Sequence, residues 1–174
     1  SQFVMQNPSQ VKKQITTHTV VQEPAVSLVM KPITNNELFD HTLEILQKIA
    51  GMTSQGGTVY LLARYHFRLF EPNELAKLKR SVPVLHIEQH SFHASKGKEA
   101  DYVVILGLDT SKNGFPSRKV TDPLLDVLLP RVEPYPDAEE RRLFYVAMTR
   151  AKHRCYLLTD MNRTSDFVKE LLKD

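Results

Sequence analysis

The sequence predicts an α/β domain: a doubly wound, mostly parallel sheet with helices packed on both faces. Three observations predict it. From residue 25 onward, stretches with strand patterning alternate with stretches of helical patterning. YVVILGL (102–108) is apolar without alternation, as in a strand covered on both faces. The 174 residues, 41% apolar and 25% charged, suffice for one soluble domain with a real core.

The elements follow in order. Residues 1–24 are polar with scattered apolar positions and read as an N-terminal extension to a domain spanning 25–174. FVMQNP has the look of a helix end, because Pro8 stops a helix begun upstream. The start at Ser1, without Met, reads as a cut from a longer chain. AVSLVMK (25–31) is expected to be a short buried strand. TNNE (34–37) has the capping-box form and opens a helix with Leu38, Ile45 and Ile49 on one stripe, closed by Gly51. TVYLLAR (58–64) is the second strand and PNELAKLKR (72–80) a short helix. VLHIEQHSFH (84–93) alternates in part, as a strand with one exposed face does. NGFPS (113–117) is a turn, and the Pro-rich LLPRVEPYPD (128–137) leads to the most regular helix. That helix starts at Asp137 and Glu140 and is expected to end near Lys152 and His153. CYLLT (155–159) is a last buried strand. TSDFVKELLKD is a closing amphipathic helix capped by Thr164 or Ser165.

Composition removes several classes. One cysteine, Cys155, leaves no disulfide framework and no Cys-based zinc site, so a reducing, cytoplasmic setting is expected. No apolar run reaches the ~18–20 residues that span a bilayer. A net charge of +3 tolerates a nucleic-acid partner but is too mild to argue for one. His86, His90 and His93 lack an acid or thiol to complete a metal site; on a strand the first two share a face and the third points away.

Chemistry concentrates in two stretches. SFHASKGKE (91–99) follows a strand and, in a doubly wound sheet, is expected at the carboxyl edge where ligands bind. It is not a phosphate-cradling P-loop, which needs Gly six residues before Lys98 and Ser or Thr after it; Phe92 and Glu99 stand there. SKGK also matches the S-x-x-K of penicillin-binding enzymes, without the companion S-D-N or K-T-G. Glu99 beside Gly97 is either an exposed loop acid or a hydroxyl-binding group where backbone comes close to a ligand.

In the second stretch, helical geometry at ~100° per residue puts Arg150 inside the apolar stripe of Leu143, Val146 and Ala147, at the helix's last turn. An unpaired cation there is costly and calls for an anion. Two readings stay open: an internal ion pair or snorkelling side chain, or a ligand phosphate gripped by the planar guanidinium.

Together the stretches resemble a known family. SFHASKGKEADYVVILGL resembles motif V of UvrD/Rep-type superfamily 1 helicases, T-x-H-x-x-K-G-L-E-F followed by an apolar strand. EERRLFYVAMTRAKH (139–153) resembles their motif VI, and TVYLLARYHF and GFP resemble the segments before and between these motifs. The resemblance implies a RecA-like lobe of the P-loop NTPase type, three-layered, and the second lobe of the motor. About twenty residues separate the TVYLLAR region from motif V, which implies a version without the large accessory subdomain. Lys98 for the usual Leu and Ala100 for the usual Phe depart from the pattern. Motif IV's Q-x-x-Y-R is expected upstream of Ser1.

By resemblance, Arg150 is the arginine finger for the γ-phosphate, and Gly97 and Glu99 adjoin the nucleotide sugar. Ser91 and His93 face single-stranded DNA, with Lys96 on the same path. The expected partners are single-stranded DNA and a missing N-terminal RecA-like lobe. ATP and Mg²⁺ belong to the full-length enzyme, and the fragment alone is expected to bind neither tightly nor to hydrolyse ATP. A helicase or translocase moving 3′ to 5′ is the first reading. A regulatory or docking module, on the pattern of related motors that act on RNA polymerase, is the second.

Overall fold

A computed structural model describes residues 25–34, 37–117 and 137–173. The extension 1–24 and most of the Pro-rich connection lie outside the described residues. Five strands form one sheet: β1 (Val26–Lys31), β2 (Gly57–Ala63), β3 (Leu85–Ser91), β4 (Ala100–Leu106) and β5 (Ala151–Asp160). The order is β1-β5-β4-β2-β3, and every neighbouring pair is parallel.

Alternation along the central strands splits the core in two. On one face Val59, Leu61, Val104, Leu106, Tyr156 and Leu158 meet helices α1 (Glu37–Met52) and α2 (Pro72–Ser81) through Ile45, Leu46, Ile49 and Leu78. On the other, Tyr60, Leu62, Val103, Ile105 and Leu157 meet α3 (Ala138–Met148) and α4 (Asp166–Leu171) through Phe144, Ala147, Phe167 and Val168. Each central strand must therefore be apolar at consecutive positions, which is why YVVILGL carries no alternation. Helix, sheet and helix make the three layers expected.

Local chemistry explains the helix starts. Glu37 reaches back to α1's entry, accepting from the Thr34 N–H and hydroxyl, each at 2.8 Å. The hydroxyl donates to the acid instead of capping the helix itself. α2 begins at a capping box between Glu71 and Glu74, with Pro72 at a position that needs no donor.

Four expectations need correction. β1 is half-exposed rather than buried, because among the described strands it is an edge and packs on β5 alone. Gly51 does not close α1, which runs on to Met52; the glycine of this connection with left-handed backbone is Gly56, where a side chain would strike the Val84 carbonyl. The motif VI helix stops at Met148, and Lys152 and His153 belong to β5, which begins at Ala151. Ser165 stands at the start of α4, but its hydroxyl donates to the Phe115 carbonyl, pinning the GFP turn to that helix.

The chain leaves β2 outward to β3 through α2 on one face, and leaves β4 the other way to β5 through α3 on the opposite face. The sheet's topological switch point therefore lies between β2 and β4, and a crevice opens outside their carboxyl ends, where such sheets accommodate ligands.

Candidate functional site

The stretch 91–99 does not sit at one edge. Ser91 pairs with Ala63 at the carboxyl end of the sheet, whereas Ala100, the residue after Glu99, opens β4 opposite Ala151 at the amino end. The loop crosses the sheet's full height, roughly 20 Å for seven strand residues. Its two halves therefore belong to two different surfaces.

At the amino end the predicted nucleotide residues come together. Arg150 lies in the turn after α3, not in its last helical turn, so the wheel position does not aim it. Instead its Nε donates to the Val146 carbonyl at 3.0 Å and one terminal nitrogen donates to the Lys98 carbonyl at 3.1 Å. The other terminal nitrogen is 3.4 Å from the Thr149 hydroxyl. The Arg150 carbonyl accepts from the Ala100 N–H at 3.0 Å, so both ends of the residue clasp motif V. No carboxylate pairs with it among the described residues. All its partners are neutral, and its charge stays whole at a half-buried, open edge. Among the described residues, the internal ion pair left open on sequence grounds is absent.

Glu99 is exposed one residue from Lys98. Gly97 has φ of 79° and open space where a side chain would stand. Glycine is required there by the backbone turn, and the adjoining surface is free for a ligand to approach. These residues meet at the amino edge, not the carboxyl edge expected for a phosphate. The reason is that α3 runs back down the sheet before β5 starts.

At the carboxyl end Ser91 caps the turn beneath it, its hydroxyl accepting from the Ala94 N–H at 3.3 Å. The buried Ser95 hydroxyl donates to the Phe92 carbonyl at 2.7 Å, and Phe92 is wholly buried against Phe115. These anchors push His93 and Lys96 outward, and both are exposed. Ser91, His93 and Lys96 thus share this end of the sheet, apart from Glu99 and Arg150.

Residues not singled out from the sequence organise this end. Arg64, just past β2, forks onto Glu140 of α3: Nε lies 2.9 and 3.1 Å from the two carboxylate oxygens, and one terminal nitrogen lies 2.7 Å from the first. Burial alone lowers the guanidinium's pKa, but the Glu140 hydrogen bond and charge more than offset it, and the net shift is upward. Glu140 also accepts from the Ser117 N–H at 3.0 Å. Arg64 further reaches His93 Nδ1 at 3.4 Å and lies 5.0 Å over the Tyr65 ring. No local signal pairs residues 64 and 140, which are far apart in the chain. Arg68 similarly pairs with Asp109 across the switch point.

Among the described residues no group of three or more His, Cys, Asp or Glu side chains is arranged to hold a metal ion. Glu88 stands between His86 and His90 on the outer strand β3, at 3.0 Å from each ring. Hydrogen bonds from His90, then His86, hold its carboxyl below the usual range. Burial drives the Cys155 thiol far upward and keeps it neutral. Among the described residues no helix is long and apolar enough to cross a membrane.

Comparison with known proteins matches residues 65–160 to the UvrD-like helicase C-terminal domain family. The chain is 40% identical over its whole length to DNA helicase IV of Escherichia coli (strain K12), of which it spans 24%. A solved C-terminal domain of a possible DNA helicase from Lactobacillus plantarum WCFS1 superposes with a TM-score of 0.48 at 15% identity. That superposition covers 84% of this chain and 80% of the other.

Proposed function

The chain belongs to the UvrD-like helicase C-terminal domain family, and on that premise we propose that it is the second motor lobe of an ATP-driven DNA translocase and helicase moving 3′ to 5′. It spans about a quarter of its curated relative, which leaves room for a first lobe in the longer protein. The observation that carries the reading is Arg150, a full positive charge held by three neutral acceptors beside exposed Glu99 at one open edge. A guanidinium so placed is ready for an anion delivered from outside the lobe, and ATP held by a facing lobe supplies one.

In this reading Arg150 binds the γ-phosphate and offsets the charge that develops as the terminal phosphoryl group leaves. Its hydrogen bonds to Val146 and Lys98 fix the fork before ATP arrives, so little reorganisation is needed. Glu99 accepts from the sugar hydroxyls, with Gly97 leaving the approach clear. Mg²⁺, which neutralises phosphate charge in such reactions, finds no ligand cluster among the described residues of this lobe and belongs with the facing one. Ser91, His93 and Lys96 contact single-stranded DNA at the opposite end of the sheet. The loop 91–99 is one continuous connection between the two surfaces. Movement of Glu99 and Arg150 on ATP closure is transmitted through it to His93, which couples hydrolysis to a shift along the strand.

The test is Arg150→Ala in the full-length protein, assayed for DNA-stimulated ATP hydrolysis and single-strand affinity. Turnover should fall on the order of 10³–10⁵-fold with affinity kept. Near-wild-type hydrolysis would sink the assignment. The 174-residue chain alone should show no Mg²⁺-dependent ATPase.

A further inference from the structure

The carboxyl end carries an aromatic surface that the proposed machinery does not use. Phe67 is 60% exposed, in a short 3₁₀ turn, His66–Arg68, directly after β2. Exposed rings on loops usually lean on whatever is near, but this one is held. It stacks on Tyr65 at 5.2 Å with the planes only 9° apart. Tyr65 is itself fixed, its hydroxyl 2.6 Å from the Ser117 hydroxyl and its ring under the Arg64 guanidinium. Arg64 is locked by Glu140 and touches His93.

A ladder of flat groups thus runs from His93 through Arg64 and Tyr65 to Phe67. Its last rung is partly open to solvent at the mouth of the switch-point crevice. That crevice is about 560 Å³ and is lined in part by Phe39 and Phe70. Exposed Lys96 lies beside His93 at the inner end of the ladder, its N–H donating to the His93 carbonyl at 3.2 Å, and its ammonium offers positive charge to a polyanionic backbone.

We infer that Phe67 is a stacking platform for one nucleobase of single-stranded DNA, held parallel to its ligand by Tyr65 and continuous with the strand path at His93. The inference rests on the motor-lobe reading and adds to it a base contact where Ser91, His93 and Lys96 supply polar and backbone contacts. Stacking on a preset ring is tolerant of sequence, because every base has a π-face, and it suits a motor that must pass over any sequence. The crevice behind Phe67 has mixed charge, with Arg68, Lys77 and Arg163 against Glu74, Asp109 and Asp160. The phosphates therefore run on the His93 side, and only the base leans toward the crevice.

The experiment uses the full-length protein and an oligothymidylate, with affinity read by fluorescence anisotropy. It is repeated with a single abasic position moved along the oligonucleotide. Phe67→Ala should weaken binding about tenfold, inside the ~5–150-fold range measured for loss of one stacked base. Phe67→Trp should bind as wild type. One abasic position should weaken wild-type binding by a similar factor and have no effect in Phe67→Ala. The exposed ring bears little on folding, and an unchanged melting temperature verifies this. If His93→Ala weakens binding while Phe67→Ala does not, the platform is refuted and the lobe reading survives. Should none of Phe67→Ala, His93→Ala and Lys96→Ala alter binding, both fall. Loss of DNA-independent ATPase in Phe67→Ala with unchanged oligonucleotide affinity would place Phe67 against another part of the protein and overturn the proposal.

Discussion

Arg64 and Arg150 stand at opposite ends of one sheet and are used in opposite ways. Both follow apolar stretches, both are half-buried, and both are held by three or more contacts. Arg64 is neutralised by a forked carboxylate with side chains only 18% and 12% exposed. Arg150 is oriented entirely by neutral oxygens. The first arrangement closes a charge inside the domain and ties β2 to α3. The second aims a charge while leaving it unspent. Pairing state, not burial or hydrogen-bond number, separates an arginine that ties the lobe together from one whose charge is left uncompensated, the charge that the proposed function assigns to a ligand.

The comparison is broken most directly by exchanging the effects. On the proposed function, Arg150→Ala should lower turnover of the full-length protein on the order of 10³–10⁵-fold. It should lower the unfolding free energy of the lobe by only about 1 kcal/mol, since neutral hydrogen bonds at a partly wet edge are lost. Arg64→Ala should do the reverse, destabilising by about 3 kcal/mol in urea unfolding because Glu140 keeps a largely buried charge without its cation. Replacing both partners, Arg64→Met with Glu140→Leu, should restore most of that loss. If the double variant is no more stable than Arg64→Ala, the ion pair is not what Arg64 provides.

Gly97→Ala sharpens the amino-end half. A methyl group there meets no atom within 4 Å, so the cost is that of left-handed backbone alone, about 1–2 kcal/mol. A larger loss in thermal unfolding would mean that the turn is more crowded than the geometry allows. The smallest effect is at β3. The Glu88 carboxyl titrates lower in the folded chain than its ordinary 4.5. Its contribution to stability is therefore complete above that value and disappears as pH falls through the lower folded one. Glu88→Gln should flatten this acid limb, by less than ~1 kcal/mol because the carboxylate is 38% exposed. An unchanged acid limb would remove the two histidines as the cause.

Much of the architecture was readable in the residues. β2 and β4 announce themselves as apolar runs, α1 by its stripe, and α2 by its proline and acids, because these patterns are local consequences of burial and capping. Element ends are less legible, and the motif VI helix shows why. Helical periodicity continues on paper through Thr149 and Arg150, but the Ala100 N–H takes the Arg150 carbonyl into the sheet. Pairing with β4 therefore ends the helix where propensity does not. The Arg64–Glu140 fork left no trace in the chain, since residues 76 apart meet only once α3 is laid on the sheet.

From the order of residues alone came the layering of the domain, the elements that build it, and a motif pair that names the family. Those follow from short-range spacing, which apolar burial and backbone geometry convert into structure one element at a time. Tertiary packing alone decided that the motif V loop spans the sheet, with Ser91 and His93 at one end and Glu99 and Arg150 at the other, and which arginine keeps its charge. Both depend on which distant carbonyls and carboxylates arrive beside a side chain. Electrostatic energy is set by distance through space, and the chain's spacing does not contain that distance until the strands have paired.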